Sequence, residues 1–243
     1  MKTAISRRIG RFRRDRLVIW LLVIVAVAIA ARAWLHDYPQ HNPWAPLNLN
    51  DPPGWATASK ISALRDDPQA CRAVLERSDV AFSALEPAGE PGPCRREDRT
   101  RLDAYPLSPD APAATCAVDA ALEIWLRQGL QPAAREIFGS DIVRIDHLGA
   151  FSCRRLYGRG EGPWSEHATG NAIDIARFAL EDGTTISVLR DWEGEDDKAR
   201  FLREARDAAC GVFGTTLSPD YNAAHADHFH LDQASRGFGG VCR

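Results

Sequence analysis

Residues 172–189 read AIDIARFALEDGTTISVL, two apolar runs that flank the tripeptide Glu181-Asp182-Gly183. The runs at 172–180 and 185–189 are rich in the apolar and β-branched residues that strands prefer. The Asp-Gly pair between them predicts a tight turn, because glycine readily adopts the positive φ that such turns need. The chain is therefore predicted to contain a β-hairpin, with antiparallel pairing in its second half.

Strands and helices on either side of this hairpin complete the pattern. Alternating polarity predicts a strand that runs from Ile142 toward Cys153, and a short last strand is predicted at 229–231. Apolar residues at helical spacing predict helices over most of 58–85, over Cys116 to Gly129, over Pro132 to Phe138 and over Asp197 to Cys210. Gly129 is expected to end its helix as a C-cap. Helices that precede antiparallel strands indicate the α+β class, with a small antiparallel sheet packed with helices.

The N-terminal region has the composition of a membrane anchor. Leu17 to Ala31 reads LVIWLLVIVAVAIAA, and its continuation to Leu35 approaches the roughly 20 residues that cross a bilayer. The first 16 residues carry seven basic side chains and one acid, a net charge of +6, and basic flanks stay in the cytoplasm. We therefore expect a cytoplasmic tail at 1–16, a single transmembrane anchor at 17–35 in the inner membrane, and a periplasmic C-terminal domain.

Three other interpretations of this region compete with the anchor. A cleaved signal peptide has a similar basic start and apolar middle, and Ala31-Arg32-Ala33 offers a small-x-small site in which the Arg fits poorly. Ser6-Arg7-Arg8 has a faint similarity to a twin-arginine signal. A buried soluble helix is disfavoured, because such helices are rarely apolar all round and preceded by six arginines.

The charge of the rest of the chain limits its partners. Residues 17–243 carry a net charge of −9 within an overall −3. Because nucleic-acid binding needs a basic face, a nucleic acid is not an expected partner. Residues 36–57 are rich in Pro and Asn and are predicted to form an extended, poorly packed linker. The remaining residues, 58–243, are long enough for one exported domain.

All six cysteines follow the apolar run, on the side that is expected to be exported. An even number of exported cysteines indicates disulfides. No Cys-x-x-Cys pair is present, which disfavours a cysteine zinc site. Many pairings are possible and the sequence does not choose among them; our working assignment is Cys71–Cys94, Cys116–Cys153 and Cys210–Cys242.

Two short windows carry the residues best suited to metal chemistry. SEHATGNAID at 165–174 and HADHFHLD at 225–232 together hold four of the seven histidines. On a strand, His228 and His230 point to one face while Phe229 points to the other. This arrangement predicts a pair of imidazoles that can begin a zinc site.

A zinc site also needs a third ligand from elsewhere in the chain. His167 and Asp174 are the best candidates, because Gly170 lets the chain bend sharply between them and return as a strand. Three protein ligands with one open position are typical of a catalytic zinc site. Either window alone is weak evidence for a metal site, since a His-x-His pair on a strand usually lies on the surface or takes part in polar packing. The presence of both windows in one exported domain favours the metal.

The same residues carry a family resemblance. Ser165-x-His167-x-x-Gly170-x-Ala172-x-Asp174 resembles the Ser-x-His-x-x-Gly-x-Ala-x-Asp signature of the D-Ala-D-Ala metallopeptidase superfamily, which includes the hedgehog signalling domain. The ending His225-x-x-His228-x-His230 is similar to the murein endopeptidase branch. A more specific resemblance, to the bacterial extensin-like C-terminal family, covers about residues 60–243. It rests on SCR at 152–154, SEHATGNAIDIA at 165–176, DW at 191–192 and FGTTLSPDYNAAHADHFHLD at 213–232.

The resemblance implies that His167, Asp174 and His230 bind zinc. It further implies a zinc-dependent peptidase or carboxypeptidase that acts on peptidoglycan peptides. Many relatives carry a Glu general base three residues before the last ligand, where this chain has the shorter Asp227. The murein endopeptidase branch implicates the His two residues before that ligand, here His228. We rank His228 above Asp227 as the catalytic base, and Asp227 is also a candidate to orient a histidine.

Other polar residues receive weaker assignments. Ser165, Arg154 and His225 are candidate substrate-binding residues, with Arg154 suited to a substrate carboxylate or a developing oxyanion. The competing interpretations are a turn hydroxyl for Ser165 and a surface charge for Arg154. Asp191-Trp192 is assigned to packing. The histidines outside the two windows are expected to have no function, namely His36, His41 and His147.

Two functions from other classes compete with peptidase activity. The presence of Asp227 in place of Glu keeps open a zinc-bearing module that binds wall peptides without cutting them. The hedgehog domain is the example of such a loss of peptidase duty within the superfamily. A purely structural envelope protein is the third hypothesis.

Overall fold

The computed structural model describes residues 13–235 and 240–243. Most of the basic tail predicted at 1–16, including the twin-arginine-like tripeptide, lies outside the described residues. Helix α1, Arg13–Asp37, contains the apolar run and is the one described helix long and apolar enough to cross a membrane. Its most apolar part has no buried residues, so it is not a core helix of the described domain. A membrane anchor and a signal sequence are both compatible with this helix.

The segment between α1 and the domain is better packed than its Pro- and Asn-rich sequence predicts. Pro39–His41 forms a short 3₁₀ helix, and Leu47 and Leu49 are buried in the hydrophobic core. The backbone N–H of Leu49 donates to the Ser78 hydroxyl over 3.2 Å. The prediction of a poorly packed linker over 36–57 is therefore wrong for its second half, because two leucines without periodic spacing fill the core.

The helices of the domain pack over the sheet and around its edges. They are α2 Thr57–Leu64, α3 Pro68–Arg77, α4 Cys116–Ile124, α5 Gln131–Phe138, α6 Val188–Asp191 and α7 Asp197–Cys210. Helix α7 has the predicted bounds, and the Asp196 carboxylate caps it by accepting from the N–H of Ala199 over 3.0 Å. The helical prediction for 58–85 fails at its end, where β1 Phe82–Ala84 pairs antiparallel with β2 Thr100–Leu102.

The helix predicted to end at Gly129 continues to Phe138. A π-helical turn, Trp125–Leu130, joins α4 to α5 without a break, and Gly139, with a φ of 66°, forms the C-cap instead. A side chain at Gly129 would place its Cβ 2.6 Å from the Cβ of Ala208 on α7. The glycine therefore permits close helix packing and does not stop the helix.

The main sheet has seven strands among the described residues, in the order β3-β4-β5-β8-β7-β9, with β6 also paired to β5. The strands are β3 Leu107–Ser108, β4 Ile142–Gly149, β5 Ala172–Leu180, β6 Thr185–Ser187, β7 Thr215–Leu217, β8 Phe229–Asp232 and β9 Val241–Cys242. β5 has the predicted bounds and forms the predicted hairpin with β6. The α+β class is confirmed. The sheet is larger than predicted and mixed, since β3 pairs with β4, and β7 with β9, in parallel.

Strand β5 carries both the core and the candidate site. Its Phe178 ring contacts Trp125 and Phe201 edge-on, with centroids 5.9 and 5.3 Å apart, so the helices that hold these rings pack over this core. Ile173 is fully buried, and Asp174 next to it points to the opposite face because side chains alternate along a strand. The core side chains thus fix the strand on which the site depends.

Three disulfides join the six cysteines, and they are Cys71–Cys116, Cys94–Cys153 and Cys210–Cys242. The prediction that the cysteines pair is confirmed, as is the assignment of Cys210–Cys242. The working assignment is wrong for the other two pairs, because α3 packs against α4 and brings Cys71 beside Cys116. Cys94 then joins Cys153, in the segment that leads to the turn at Ser165.

Helix α4 buries a carboxylic acid in the core. Asp119 is 2% exposed, and the Thr100 hydroxyl donates to its Oδ2 over 2.6 Å. Burial raises the pKa of Asp119 from 3.8 to about 8, against the opposing effect of the Thr100 hydrogen bond. The folded protein therefore keeps this proton up to about pH 8, whereas the unfolded chain releases it near its ordinary pKa of 3.8.

We expect Asp119→Asn to change how stability depends on pH. Between the two pKa values the folded state binds more protons than the unfolded state, so wild-type stability falls as pH rises from about 4 to about 8. Asparagine has no such proton, and its carbonyl still accepts from Thr100. As pH rises, the free energy of unfolding of the variant should therefore increase relative to that of the wild type, by up to about 1.4 kcal/mol per pH unit. Urea unfolding of both detergent-solubilised proteins at about pH 5 and about pH 8 measures this difference. Parallel pH profiles would contradict the assignment.

Candidate metal centre

A tight turn before β5 positions the first histidine of the site. Ser165 caps the 3₁₀ helix Glu166–Thr169 by accepting from the backbone N–H of His167 over 3.3 Å. Gly170 follows with a φ of 77°, a left-handed conformation that residues with a side chain rarely adopt. The chain reverses there and enters β5, so that His167 and Asp174 lie side by side.

The pairing of β5 with β8 positions the other two residues. Asp174 and His230 are direct partners in the antiparallel register, so their side chains leave the same face of the sheet. The neighbours Phe229 and Leu231 are buried on the core face, where Phe229 packs edge-on against Trp192 with 5.7 Å between ring centroids. Alternation along β8 therefore separates the packing side chains from the polar ones.

Three donor atoms converge at one point on this face. His167 Nε2 lies 3.2 Å from Asp174 Oδ1 and 3.1 Å from His230 Nδ1, and His230 Nδ1 lies 3.0 Å from Asp174 Oδ1. Ligands at zinc distances of about 2.0–2.1 Å and at tetrahedral angles are separated by about 3.3 Å. Two imidazole nitrogens and one carboxylate oxygen at this spacing could hold a metal ion. The structure thus brings together the three residues that the sequence predicts as ligands.

Hydrogen bonds on the far side of each imidazole aim its lone pair at the same point. His167 Nδ1 is 3.1 Å from the carbonyl oxygen of Ala150, which can only accept, so Nδ1 carries the proton and Nε2 is the donor atom for a metal. His230 Nε2 likewise donates to the buried Asp232 carboxylate over 3.0 Å, which leaves Nδ1. Contacts of this kind orient metal-binding histidines and raise their basicity.

Neither of these two supporting groups is identified from the sequence. Asp232 lies two residues after His230 on the same strand, and the period-two alternation of strands is the signal that could have found it. The Ala150 carbonyl is a backbone group, placed by the segment that follows β4, and no side-chain pattern marks it.

The centre stabilises positive charge. Burial lowers the pKa of His230, but hydrogen bonds and charge interactions with Asp174 and Asp232 outweigh it and raise this pKa to about 9. Burial raises the pKa of Asp174, yet its contacts with His167 and His230 hold it well below its ordinary value. The two carboxylates therefore favour a proton or a metal cation among the imidazoles.

His228 stands at the edge of the centre. Its Nε2 is 3.6 Å from Asp174 Oδ1, and its Nδ1 donates to Asp227 Oδ1 over 2.7 Å. The Asp227 side chain is 56% exposed and lies at the rim. Strict strand alternation would turn Asp227 away from His228, but β8 begins only at Phe229 and a turn precedes it. The carboxylate is therefore free to orient His228.

The candidate substrate-binding residues occupy different positions. The His225 ring lies beside the centre, 5.3 Å from the His228 ring and 5.9 Å from that of His230, and burial and these neighbours lower its pKa to about 4. Ser165 is buried as the helix cap. Arg154 is exposed, with no side-chain hydrogen bond or ion pair to any described residue, and its carbonyl accepts from the N–H of Ser165. Their roles in substrate binding stay predictions.

Asp191-Trp192 has the packing role that the sequence predicts. The Asp191 carboxylate accepts from the N–H of Ser187 over 2.7 Å, and the Trp192 indole donates to Asp220 over 2.8 Å. The remaining histidines lie outside the group of donor atoms: His36 is exposed, His41 stacks between Trp34 and Trp55, and His147 is 2.8 Å from the carbonyl oxygen of Asp110.

A family model described as extensin-like protein C-terminus matches residues 69–243. The matched region contains the three donor residues, both candidate bases and all six cysteines. No curated protein and no solved structure matches the chain.

Proposed function

The chain belongs to the extensin-like protein C-terminus family, and from this premise we propose that it is a zinc-dependent peptidase or carboxypeptidase that acts on peptidoglycan peptides at the cell envelope. The observation that carries the proposal is the convergence of His167, Asp174 and His230, whose donor atoms are 3.0 to 3.2 Å apart. The resemblance of these residues to the D-Ala-D-Ala metallopeptidase signature supplies the superfamily and the substrate class.

Zinc is the metal that we assign to the centre. Imidazole nitrogens suit zinc, whereas magnesium and calcium prefer sites built only of oxygen. Two histidines and one carboxylate are also a ligand set that occurs in zinc peptidases. Zinc bound there would lower the pKa of a water molecule and polarise the scissile carbonyl group.

The proton transfers are assigned to residues of this chain. His228 Nδ1 donates to Asp227, so Nε2 carries the lone pair, and it faces the centre at 3.6 Å from Asp174 Oδ1. As general base, Nε2 would take the proton of the attacking water and then pass it to the leaving amine nitrogen. The Asp227 carboxylate would stabilise the imidazolium that forms, so Asp227 is a positioning residue.

Substrate recognition is assigned to Arg154 and His225. The Arg154 guanidinium is exposed and suits a carboxylate of the substrate, because it can form two parallel hydrogen bonds with it. The neutral His225 ring borders His228 and His230, where it could donate or accept a hydrogen bond with a peptide group. Ser165 supports this region through the turn that it caps.

Digestion of whole peptidoglycan tests the proposed activity. The full chain in detergent, supplied with zinc, is expected to shorten stem peptides or open their cross-links, and a chelator should stop the reaction. Mass spectrometry identifies the products. Asp227, short and exposed, favours the alternative of a zinc-bearing module that binds peptidoglycan without cutting it. Zinc-dependent binding without new products would identify that module. If the protein neither bound nor cleaved peptidoglycan, both the peptidase and the binding module would be rejected.

We further propose that α1 anchors the protein in the inner membrane with the domain in the periplasm. The supporting observations are an exposed apolar helix, the basic residues that precede it and three disulfides beyond it. A reporter that works only in the periplasm, fused after Arg243, is expected to be active, and the fused protein should keep its full length. Activity of a cytoplasm-only reporter at this junction would contradict the orientation, and a shortened protein would identify a signal peptide.

A further inference from the structure

The last turn of α1 is joined to the domain by a stack of aromatic rings. Trp34 of α1 lies over His41, with ring centroids 5.1 Å apart and the planes 15° from parallel. His41 in turn lies over Trp55, at 6.2 Å and 23°. Trp34 also contacts Tyr38 at 5.4 Å. Two ring contacts therefore connect the helix that we assign to the membrane with Trp55, two residues before α2.

Backbone contacts hold this stack in place. The Trp55 N–H lies 3.3 Å from His41 Nδ1, and the Lys60 ammonium donates to the carbonyl of Pro39 over 2.7 Å. Gly54 packs so closely on Gln40 that an added Cβ would lie 2.5 Å from its carbonyl oxygen. Residues 39–41 therefore contact the chain just before α2 and within it.

The stack lies at the level where the membrane surface is expected. A helix rises about 1.5 Å per residue, so a hydrocarbon layer of about 30 Å that begins at Leu17 ends near residue 36. Four exposed aromatic residues lie near this level: Trp34, Tyr38 and Trp55 belong to the stack or contact it, and Trp44 follows His41 by three residues in the sequence. We call these four residues the aromatic collar. Tryptophan and tyrosine concentrate at membrane–water interfaces, because their rings are apolar and their N–H or O–H groups are polar.

We propose that the aromatic collar lies in the lipid headgroup layer of the membrane that α1 crosses, and holds the domain against the bilayer surface. The proposal rests on the membrane placement of α1 given above. Continuity favours lipid as the occupant, since Trp34 lies on the exposed apolar helix α1 and Tyr38 follows directly after its end. Trp44 is 84% exposed and Trp55 65%, and headgroup contact would remove this apolar area from water. Such docking confines the metal centre to peptides that come close to the membrane.

A spin label at the collar measures its depth directly. All six native cysteines are in disulfides, so a label on Trp44→Cys in the otherwise unchanged full chain reports one position. The control is Leu189→Cys on α6, where the native side chain is 62% exposed but lies outside the collar. In lipid vesicles, the label at 44 should collide more with oxygen than with a water-soluble nickel complex, and the label at 189 should show the reverse. If the label at 44, like the label at 189, collided more with the nickel complex than with oxygen, the proposal would be overturned.

The stack itself is tested by a matched pair of histidine variants. His41→Ala removes the middle ring, so the label at 44 should move toward water and become more mobile. His36→Ala, at a side chain that is 88% exposed and outside the stack, should leave the label unchanged. Thermal unfolding of both variants checks that the domain is folded. An unchanged label in folded His41→Ala would show that the stack does not hold the collar at the membrane.

These measurements separate the collar from the rest of the proposed function. The label depth is read without zinc and without substrate, so a failure of the peptidase assignment leaves it unaffected. A chain that alkaline washing removes from the vesicles would overturn the membrane anchor together with the collar. A chain that stays in the vesicles while its label at 44 is aqueous would overturn the collar alone.

Discussion

His230→Ala is expected to remove the metal from the protein, because the two donors that remain, His167 and Asp174, rarely retain a catalytic zinc ion. Loss of a group that only supports a ligand costs about 10- to 100-fold in metal affinity, and loss of the ligand itself should cost more. The measurement is the zinc content of each purified protein after dialysis, followed by titration with a competing chelator.

Two variants with graded effects accompany this experiment. Asp232→Asn keeps every donor atom but weakens the support of His230 Nε2, so its affinity should fall by about 10- to 100-fold. His225→Ala removes a neighbouring imidazole that is outside the donor group, and it should keep its zinc. The ligand assignment is wrong if His230→Ala binds zinc with the stoichiometry and affinity of the wild type.

His228→Ala is expected to abolish peptidase activity while the zinc stays bound. His228 lies outside the three-donor group, and its Nε2 faces the centre as the assigned proton acceptor. Loss of a positioned general base costs a factor of about 10² to 10⁴ in rate. Asp227→Asn should have a smaller effect, because the amide keeps the shape of the carboxylate and loses only its charge on His228. Turnover of a defined cross-linked muropeptide by each zinc-loaded protein gives the comparison.

The outcomes of this series separate enzyme from binding module. Equal turnover by the wild type and His228→Ala would remove His228 as the base. If Asp227→Asn lost more activity than His228→Ala, the carboxylate would be the base and the ranking of the two residues would be reversed. Absence of turnover in every protein, with zinc-dependent muropeptide binding retained, would favour the non-catalytic module.

Elements with a complete local pattern are predictable from this sequence, and elements that depend on packing are not. α7 has an apolar stripe and an Asp196 cap, and β5 is bounded by the Gly170 turn and the Asp-Gly hairpin, so both have the predicted bounds. Gly129 fits a C-cap locally, but the approach of α7 at Ala208 decides its role. The burial of Leu47 likewise depends on the tertiary structure alone.

In the candidate site, too, residues that a local pattern marks are predictable, and contacts that depend on tertiary structure are not. The three donors are predictable because β5 and β8 each place a polar residue between buried ones, and Gly170 marks the turn that returns His167. The contact of Asp227 with His228 is not predictable from strand alternation, since it depends on where β8 begins. Disulfide pairing between Cys71 and Cys116 requires the contact of two helices, which no local pattern encodes.

Asp174 and His230 meet in only one alignment of β5 and β8. A slip of one residue would turn the polar side chains of one strand toward the core and break the pair. An ion held by both residues therefore stabilises the native alignment alone, by about 4 kcal/mol when the free ion exceeds its dissociation constant about 1,000-fold. Metal supply and strand alignment are thermodynamically linked in this way. If zinc occupies the centre, it selects the native register of the sheet, since a chain with slipped strands cannot gain the free energy of zinc binding.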